Sequence, residues 1–207
     1  MDEQLAVYLN DLYEHGRAHD AGKADRLDRL RNVEPDTARL LGVLVRATGA
    51  KRILEIGTSN GFSTLWLADA ARSVEGRVVS VEVDPARSAE AFTHLGETGL
   101  DDFVELRTAD AAETLEGSGD ESWDLIFLDA ERPAYEGYWP DLIRVLRVGG
   151  LLVVDNVVSH ADELREFRER VEADPRASEA LVPTGAGALL IVRGTSVDTA
   201  AEARIQR

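Results

Sequence analysis

From Arg52 onward, short apolar runs alternate with stretches in which apolar residues recur every three or four positions. The runs are Ile53–Ile56, Val78–Val83, Phe103–Leu106, Leu125–Leu128 and Leu151–Val154. Each is short, nearly continuous and rich in branched side chains, which predicts strands buried on both faces. Helical spacing predicts helices over 63–71, 85–97, 135–146 and 162–171, with a short helical turn near 111–115. Leu181 and Leu189–Val192, with Gly185 and Gly187 between them, predict a closing hairpin, and Gly117–Glu121 reads as a surface loop. Apolar strands alternating with helices argue an α/β fold, a doubly wound, largely parallel sheet covered on both faces.

Upstream, Leu5, Leu9, Leu12 and Tyr13 recur at helical spacing, as do Leu27 and Leu30. Two N-terminal helices are expected there, packed on the main body or on a partner subunit. Pro35 opens a third over Asp36–Thr48, and Gly49 ends it. No repeat or linker divides the 207 residues, so a single domain is expected, with N-terminal helices over 1–48 and a cofactor-binding core over 52–193.

The candidate chemistry lies where strands end. The first strand leads into Glu55-Ile56-Gly57-Thr58-Ser59-Asn60-Gly61, an acid and two glycines ahead of a helix. A strand–turn–helix of this kind lets a small ligand approach the backbone. Its spacing is E-x-G-x-x-x-G rather than the G-x-G-x-x-G of dinucleotide sites, so a nicotinamide-dependent oxidoreductase is disfavoured. An acid so near the turn suits a cationic ligand, and S-adenosylmethionine is one. Glu82 ends the second strand, where a carboxylate can accept hydrogen bonds from both hydroxyls of a ribose or simply face solvent. Asp110 follows the third, as an acceptor for an adenine amino group or as an N-cap. Ser63 and Phe62 either flank the ligand or form a buried helix start.

Strands four and five end in Asp129 and in Asp155-Asn156. Three oxygen donors at one sheet edge suit a hard divalent cation such as Mg²⁺, although strand-end acids also cap helices. Tyr138 and Trp139 either form an aromatic wall for a flat acceptor or pack the helix on the sheet.

Charge narrows the partners. With 39 acidic against 23 basic residues the net charge is −16, which repels nucleic-acid phosphates and anionic lipid and leaves a small molecule as the expected partner. The absence of cysteine excludes thiolate metal sites and a cysteine nucleophile. Met1-Asp2-Glu3-Gln4 has no signal-peptide character, and no apolar run approaches a bilayer span, so a cytoplasmic protein is expected.

The segments Ile53–Thr64, Ser80–Pro85, Asp110-Ala111, Phe127–Tyr135 and Gly149–Val157 together resemble the cation-dependent S-adenosylmethionine O-methyltransferases, the catechol and caffeoyl-coenzyme A group. The resemblance runs over roughly residues 33–193, and its Asp-Ala with Tyr135 and its Gly-Gly…Asp-Asn pair are its most specific parts. It implies a seven-stranded Rossmann-like methyltransferase sheet and, commonly, a homodimer. It also implies S-adenosylmethionine against Glu55, Gly57, Thr58, Ser59, Gly61, Ser63, Glu82, Asp110, Ala111 and Asp129. Asp129, Asp155 and Asn156 would hold Mg²⁺ or another divalent cation.

One position departs from the family. Members usually carry a lysine three residues after the first metal aspartate, as base or orienting group, and this chain has Arg132. A guanidinium stays protonated, so it can stabilise a phenolate or clamp an anion but cannot take a proton. His160, five residues past Asp155, is either a base or a surface helix cap. Asp129, Arg132 and His160 are therefore the expected catalytic set. The leading expectation is Mg²⁺-assisted O-methylation of a catechol-like acceptor. The alternatives are a metal-independent methyltransferase in which Arg132 binds an anionic acceptor, and a non-catalytic S-adenosylmethionine-binding protein.

Overall fold

A computed structural model describes residues 1–195. The chain opens with α1 (Glu3–Ala21) and α2 (Pro35–Thr48), then alternates β1 (Arg52–Ile56), α3 (Phe62–Ser73), β2 (Arg77–Glu82), α4 (Pro85–Thr98), β3 (Val104–Thr108) and α5 (Ala111–Gly117). It continues with β4 (Trp123–Leu128), α6 (Tyr135–Val145), β5 (Leu146–Val154), α7 (Arg165–Ala173), β6 (Ala177–Val182) and β7 (Ala188–Arg193). Helix starts follow local chemistry. Asp2 accepts from the Leu5 amide at 2.9 Å, and Asp84 caps α4 ahead of Pro85. Gly49 and Gly99 close α2 and α4 in the left-handed conformation.

The strands form one seven-stranded sheet in the order β3-β2-β1-β4-β5-β7-β6. The first five positions in that order are parallel, and β7 is antiparallel to both β5 and β6, as the predicted hairpin requires. Successive strand residues serve opposite faces. Ile53, Leu125, Phe127, Leu151 and Val153 join the core shared with α1, α2 and α3. Leu54, Ile56, Ile126, Leu128, Leu152 and Val154 join the core shared with α6 and α7. That division explains why these strands read as unbroken apolar runs.

Two expectations need correction. The second N-terminal helix is absent, and residues 22–34 carry no helix. Gly22 ends α1, and the Asp20 carboxylate then accepts from the amides of Leu30 (2.7 Å) and Arg31 (2.9 Å), with Arg31 at φ 53°. The two leucines that suggested a helical stripe part company: Leu30 is buried, whereas Leu27 is 60% exposed. The fifth strand also starts earlier than its apolar run, at Leu146, because the pairing with β4 extends back across an irregularity to Leu146 and Trp123. Among the described residues no helix is long and apolar enough to cross a membrane.

Strand order reverses between β1 and β4, since β2 and β3 lie to one side and β5 to the other. Ligands of open α/β sheets collect beyond the strand ends at such a point. Here the two chains pass very close. Gly57 donates to the Val81 carbonyl (3.0 Å), and Asp129 donates to the Ile56 carbonyl (2.9 Å). Gly57 stands at φ 106°, and a Cβ there would fall 2.2 Å from the Asp129 carbonyl oxygen. Both the left-handed backbone and the crossing require glycine. Gly57→Ala is therefore expected to cost at least about 2 kcal/mol, combining backbone strain with a clash against backbone that cannot swing aside. A urea unfolding midpoint equal to that of the parent protein would refute this account of the crossing.

Candidate functional site

A cavity of about 540 Å³ opens at the switch point. Gly57, Thr58, Ser59, Ser63, Glu82, Asp110, Ala111, Asp129, Arg132, Asp155, Asn156 and His160 all line it. Every strand-end position singled out in the sequence thus reaches one site, with two exceptions. Glu55 and Gly61 lie off its wall.

Glu55 is fully buried beneath the turn and spoken for by hydroxyls. Ser63 donates to one carboxyl oxygen (2.6 Å), and Thr64 (2.5 Å) and Ser80 (2.6 Å) donate to the other. The expectation that this acid faces a cationic ligand is corrected: its partners are α3 and β2, and it ties them to β1. The same bonds engage Ser63, whose hydroxyl is directed at Glu55 although the residue lines the cavity. Gly61 serves packing, since a Cβ there would lie 2.9 Å from the Ala91 Cβ of α4.

At the Glu82 end of the cavity, backbone and carboxylates are held in register. Glu82 accepts from the Ser59 amide (2.8 Å) through one oxygen and from the Asp84 amide (3.0 Å) through the other. It therefore fixes the turn while lining the cavity. Asp110 caps α5 by accepting from the Ala112 amide (2.7 Å), and it lines the cavity as well. Asn60, between the two glycines, was not singled out by pattern. It is completely buried, lines the cavity, and its Nδ2 has no hydrogen-bond partner.

At the opposite end, Asp129, Asp155 and Asn156 converge. The Asn156 amide nitrogen donates to Asp129 Oδ1 (2.9 Å) and Asp155 Oδ2 (3.2 Å), and Asp155 Oδ1 is buried with no partner among the described residues. Burial pushes both carboxyls upward, and for Asp155 the neighbouring Asp129 charge adds to it. Arg31 and Arg132 act against the rise at Asp129. Among the described residues no group of three His, Cys, Asp or Glu is arranged for a metal; this group is two carboxylates and an amide. Its donors nevertheless fit a hard cation. Two buried acids with an unpartnered oxygen lack positive charge, and turning the Asn156 amide would aim its oxygen at them.

Around this pair the remaining site residues take distinct places. Arg132 is 4% exposed, its Nε donates to Glu163 (3.0 Å), and its Nη2 is buried without a partner. His160 shares a hydrogen bond with Ser159 (2.8 Å), and burial, then Arg132, lowers its pKa. Tyr135 is core and grips the loop after β4, donating to the Ala130 carbonyl (3.0 Å) and accepting from its amide (2.8 Å). Trp139 packs edge-on against Phe167, whereas Tyr138 is on the cavity wall. One of the two expected aromatic-wall residues is therefore core.

Sequence reading missed the segment 26–34, which closes one side of the cavity. Ser59 Oγ donates to the Leu30 carbonyl (2.7 Å), and Arg87 donates to the carbonyls of Leu27 and Arg29. Arg26 and Arg31 reach Glu131 at 2.7 Å and 2.5 Å. These anchors are side-chain bonds to an irregular backbone, which leave no periodic signal.

Comparison with known proteins decides the family. The O-methyltransferase family model matches residues 6–194. The chain belongs to this O-methyltransferase family. It is 37% identical over 140 residues to a catechol O-methyltransferase of Niastella koreensis, covering 65% of this chain and 62% of that protein. It is 38% identical over 146 residues to a catechol O-methyltransferase of Mycobacterium tuberculosis, covering 70% and 66%. The matched stretch thus spans less than two thirds of those relatives' length. Among solved structures, the O-methyltransferase from Bacillus cereus in complex with SAH (S-adenosylhomocysteine) superposes at TM-score 0.77 with 29% identity, covering 93% of this chain and 92% of that one. The O-methyltransferase TomG from Streptomyces achromogenes, in complex with SAM (S-adenosylmethionine), gives 0.75 with 27% identity, covering 94% and 91%.

The buried Glu55 has a consequence for stability. Burial raises its pKa from the ordinary 4.5 to about 7, against the three hydroxyl donors. The folded state therefore holds a proton that the unfolded state releases between those values. Its contribution is full below about pH 4.5 and is lost as pH rises to about 7, a change on the order of 3 kcal/mol. Urea unfolding across that range is expected to show stability falling with pH, and Glu55→Gln is expected to flatten the slope. An unaltered slope in the variant would assign the pH dependence elsewhere.

Proposed function

We propose that this chain transfers the methyl group of S-adenosylmethionine to a hydroxyl of a small, catechol-like acceptor, assisted by a divalent cation at Asp129, Asp155 and Asn156. The observation that carries the reading is the convergence of those three side chains, with a buried, unpartnered carboxylate oxygen, in the same cavity as the Gly57–Asn60 turn. Family membership and the cofactor-bound structural neighbours support the methyl donor.

In this reading Glu82 takes the ribose hydroxyls, for which an uncharged diol and a carboxylate acceptor are matched. Asp110 accepts from the adenine amino group through the oxygen that does not cap α5. The Gly57–Asn60 turn, without a side chain at its first position, admits the rest of the cofactor against the backbone, and Asn60 Nδ2 offers a donor to its carboxylate. A divalent cation, when bound, would lower the pKa of a hydroxyl it holds. Vicinal oxygens can share one cation, which favours a diol. His160, kept neutral by its lowered pKa, is a side chain at this end able to accept the hydroxyl proton. Arg132 cannot accept it. Tyr135 and the Gly57–Asp129 crossing hold the two ends of the cavity at fixed separation, and in-line transfer depends on such positioning.

Metal binding is open to a test apart from turnover. Calorimetric titration with Mg²⁺ is expected to show one saturable site that Asp155→Asn abolishes. The same substitution removes a buried acid repelled by Asp129, so the metal-free variant is expected to melt about 2–4 °C higher, a gain of about 1 kcal/mol. With a panel of catechols and labelled S-adenosylmethionine, EDTA is expected to abolish product. Product formation unaffected by EDTA would overturn the metal half of the proposal, and no product from any phenol would overturn the reaction itself.

A further inference from the structure

The end of the cavity beside Asp129 and Asp155 holds arginine N–H donors that its ion pairs do not use. Arg132 is 3% exposed at its side chain, yet its one paired carboxylate, Glu163, is 38% exposed. A solvent-facing partner neutralises a buried guanidinium poorly, because water screens the attraction without restoring the lost hydration. Among the described residues Nη2 of Arg132 remains buried without a partner, and so does Nε of Arg31, whose Nη2 is given to Glu131. Both residues line the same cavity as Asp129 and Asp155 and act electrostatically on Asp129. A divalent cation held by that acid pair would leave the part-exposed Glu163 as the counter-ion of Arg132.

Two N–H donors without partners among the described residues, on planar cations that line one cavity, suit an anion. Glu34 and Glu131 also line this end, so a doubly charged group such as a phosphate meets repulsion that a singly charged carboxylate largely avoids.

We propose that Arg132, with Arg31, selects acceptors that carry a carboxylate on the hydroxylated ring, so that the substrate class is dihydroxybenzoate-like acids rather than neutral catechols. Arg132 would then be a specificity-determining residue, standing where a base is usual in this family, and the inference rests on the methyl-transfer reading above. The carboxylate fills the vacant donors, and the ring's hydroxyls are left toward Asp129 and Asp155.

The test compares 2,3- and 3,4-dihydroxybenzoate with their methyl esters, which keep the diol and lose the charge. Calorimetric titration into protein saturated with S-adenosylhomocysteine and Mg²⁺ reads binding without turnover, and kcat/KM reads the reaction. At least one acid is expected to exceed its ester by about 10- to 100-fold in both, the span of a charge-assisted hydrogen bond. Arg132→Gln is expected to bring that ratio to about one, whereas Glu163→Gln, which frees Arg132, keeps or raises it. A structural role for Arg132 would weaken acid and ester alike and leave the ratio intact, and that result would overturn the proposal. So would equal affinities in the parent protein, or no binding of either acid. Acid-selective binding without product would leave this inference standing and refute methyl transfer.

Discussion

The approach of Gly57 to the Asp129 carbonyl is the constraint on which the site depends. At the switch point the turn after β1 and the loop after β4 must pass within backbone contact. Only a residue without a Cβ, at positive φ, permits it. Because β1 and β4 are neighbours in a parallel sheet, their carboxyl ends rise side by side. The turn that belongs to the methyl donor in the proposed reading is thereby set beside the acids that belong to the acceptor. A wider crossing would separate the two halves of the cavity.

Around that crossing, charge is buried in two different ways. Glu55 has three hydroxyl donors and raises no demand for a ligand; it is a fastener among β1, β2 and α3. Asp129 and Asp155 share one side-chain amide and keep an oxygen without a partner among the described residues. A carboxylate, buried at neighbouring strand ends, is structural in one case and open to chemistry in the other. The difference lies in the count of donors supplied by the chain, since a buried acid with all its bonds made has nothing to offer a substrate.

The sheet and most of the cavity wall were legible because both follow from periodicity and topology. Apolar runs with helical spacing between them dictate strands and crossovers, and the strand-end rule then carries Glu82, Asp110, Asp129 and Asp155 to one place. Glu55 was misread for a definite reason. A carboxylate within the strand, one pleat before the turn, points away from the cavity, and the hydroxyls that claim it come from positions 8, 9 and 25 residues later. The segment 22–34 failed for another. Leu27 and Leu30 fit a helical spacing by accident, while the structure there is written by Asp20, Arg29 and Arg87 bonding backbone groups far along the chain. Such bonds have no period to detect.

That same irregular segment bears on specificity. Regular elements repeat their geometry, so the donor half of the cavity can keep one shape across a family whose strands end alike. An irregular strap, fastened by side chains, can exchange its residues without disturbing the sheet. Here it brings Arg26 and Arg31 against Glu131, next to an arginine that replaces the family's usual lysine. Lysine and arginine at that position ask different things of their surroundings. A lysine can give up its charge, so it tolerates burial beside a metal and can serve as a base. An arginine keeps its charge, so its burial is stable only if an anion completes it. Glu163, half in solvent, completes it only in part. In the proposed reading the remaining share comes from the acid pair while that pair is free, and from the acceptor once a cation occupies the pair. On that reading an arginine fixed at this point couples the charge of the substrate to the state of the carboxylates beside it.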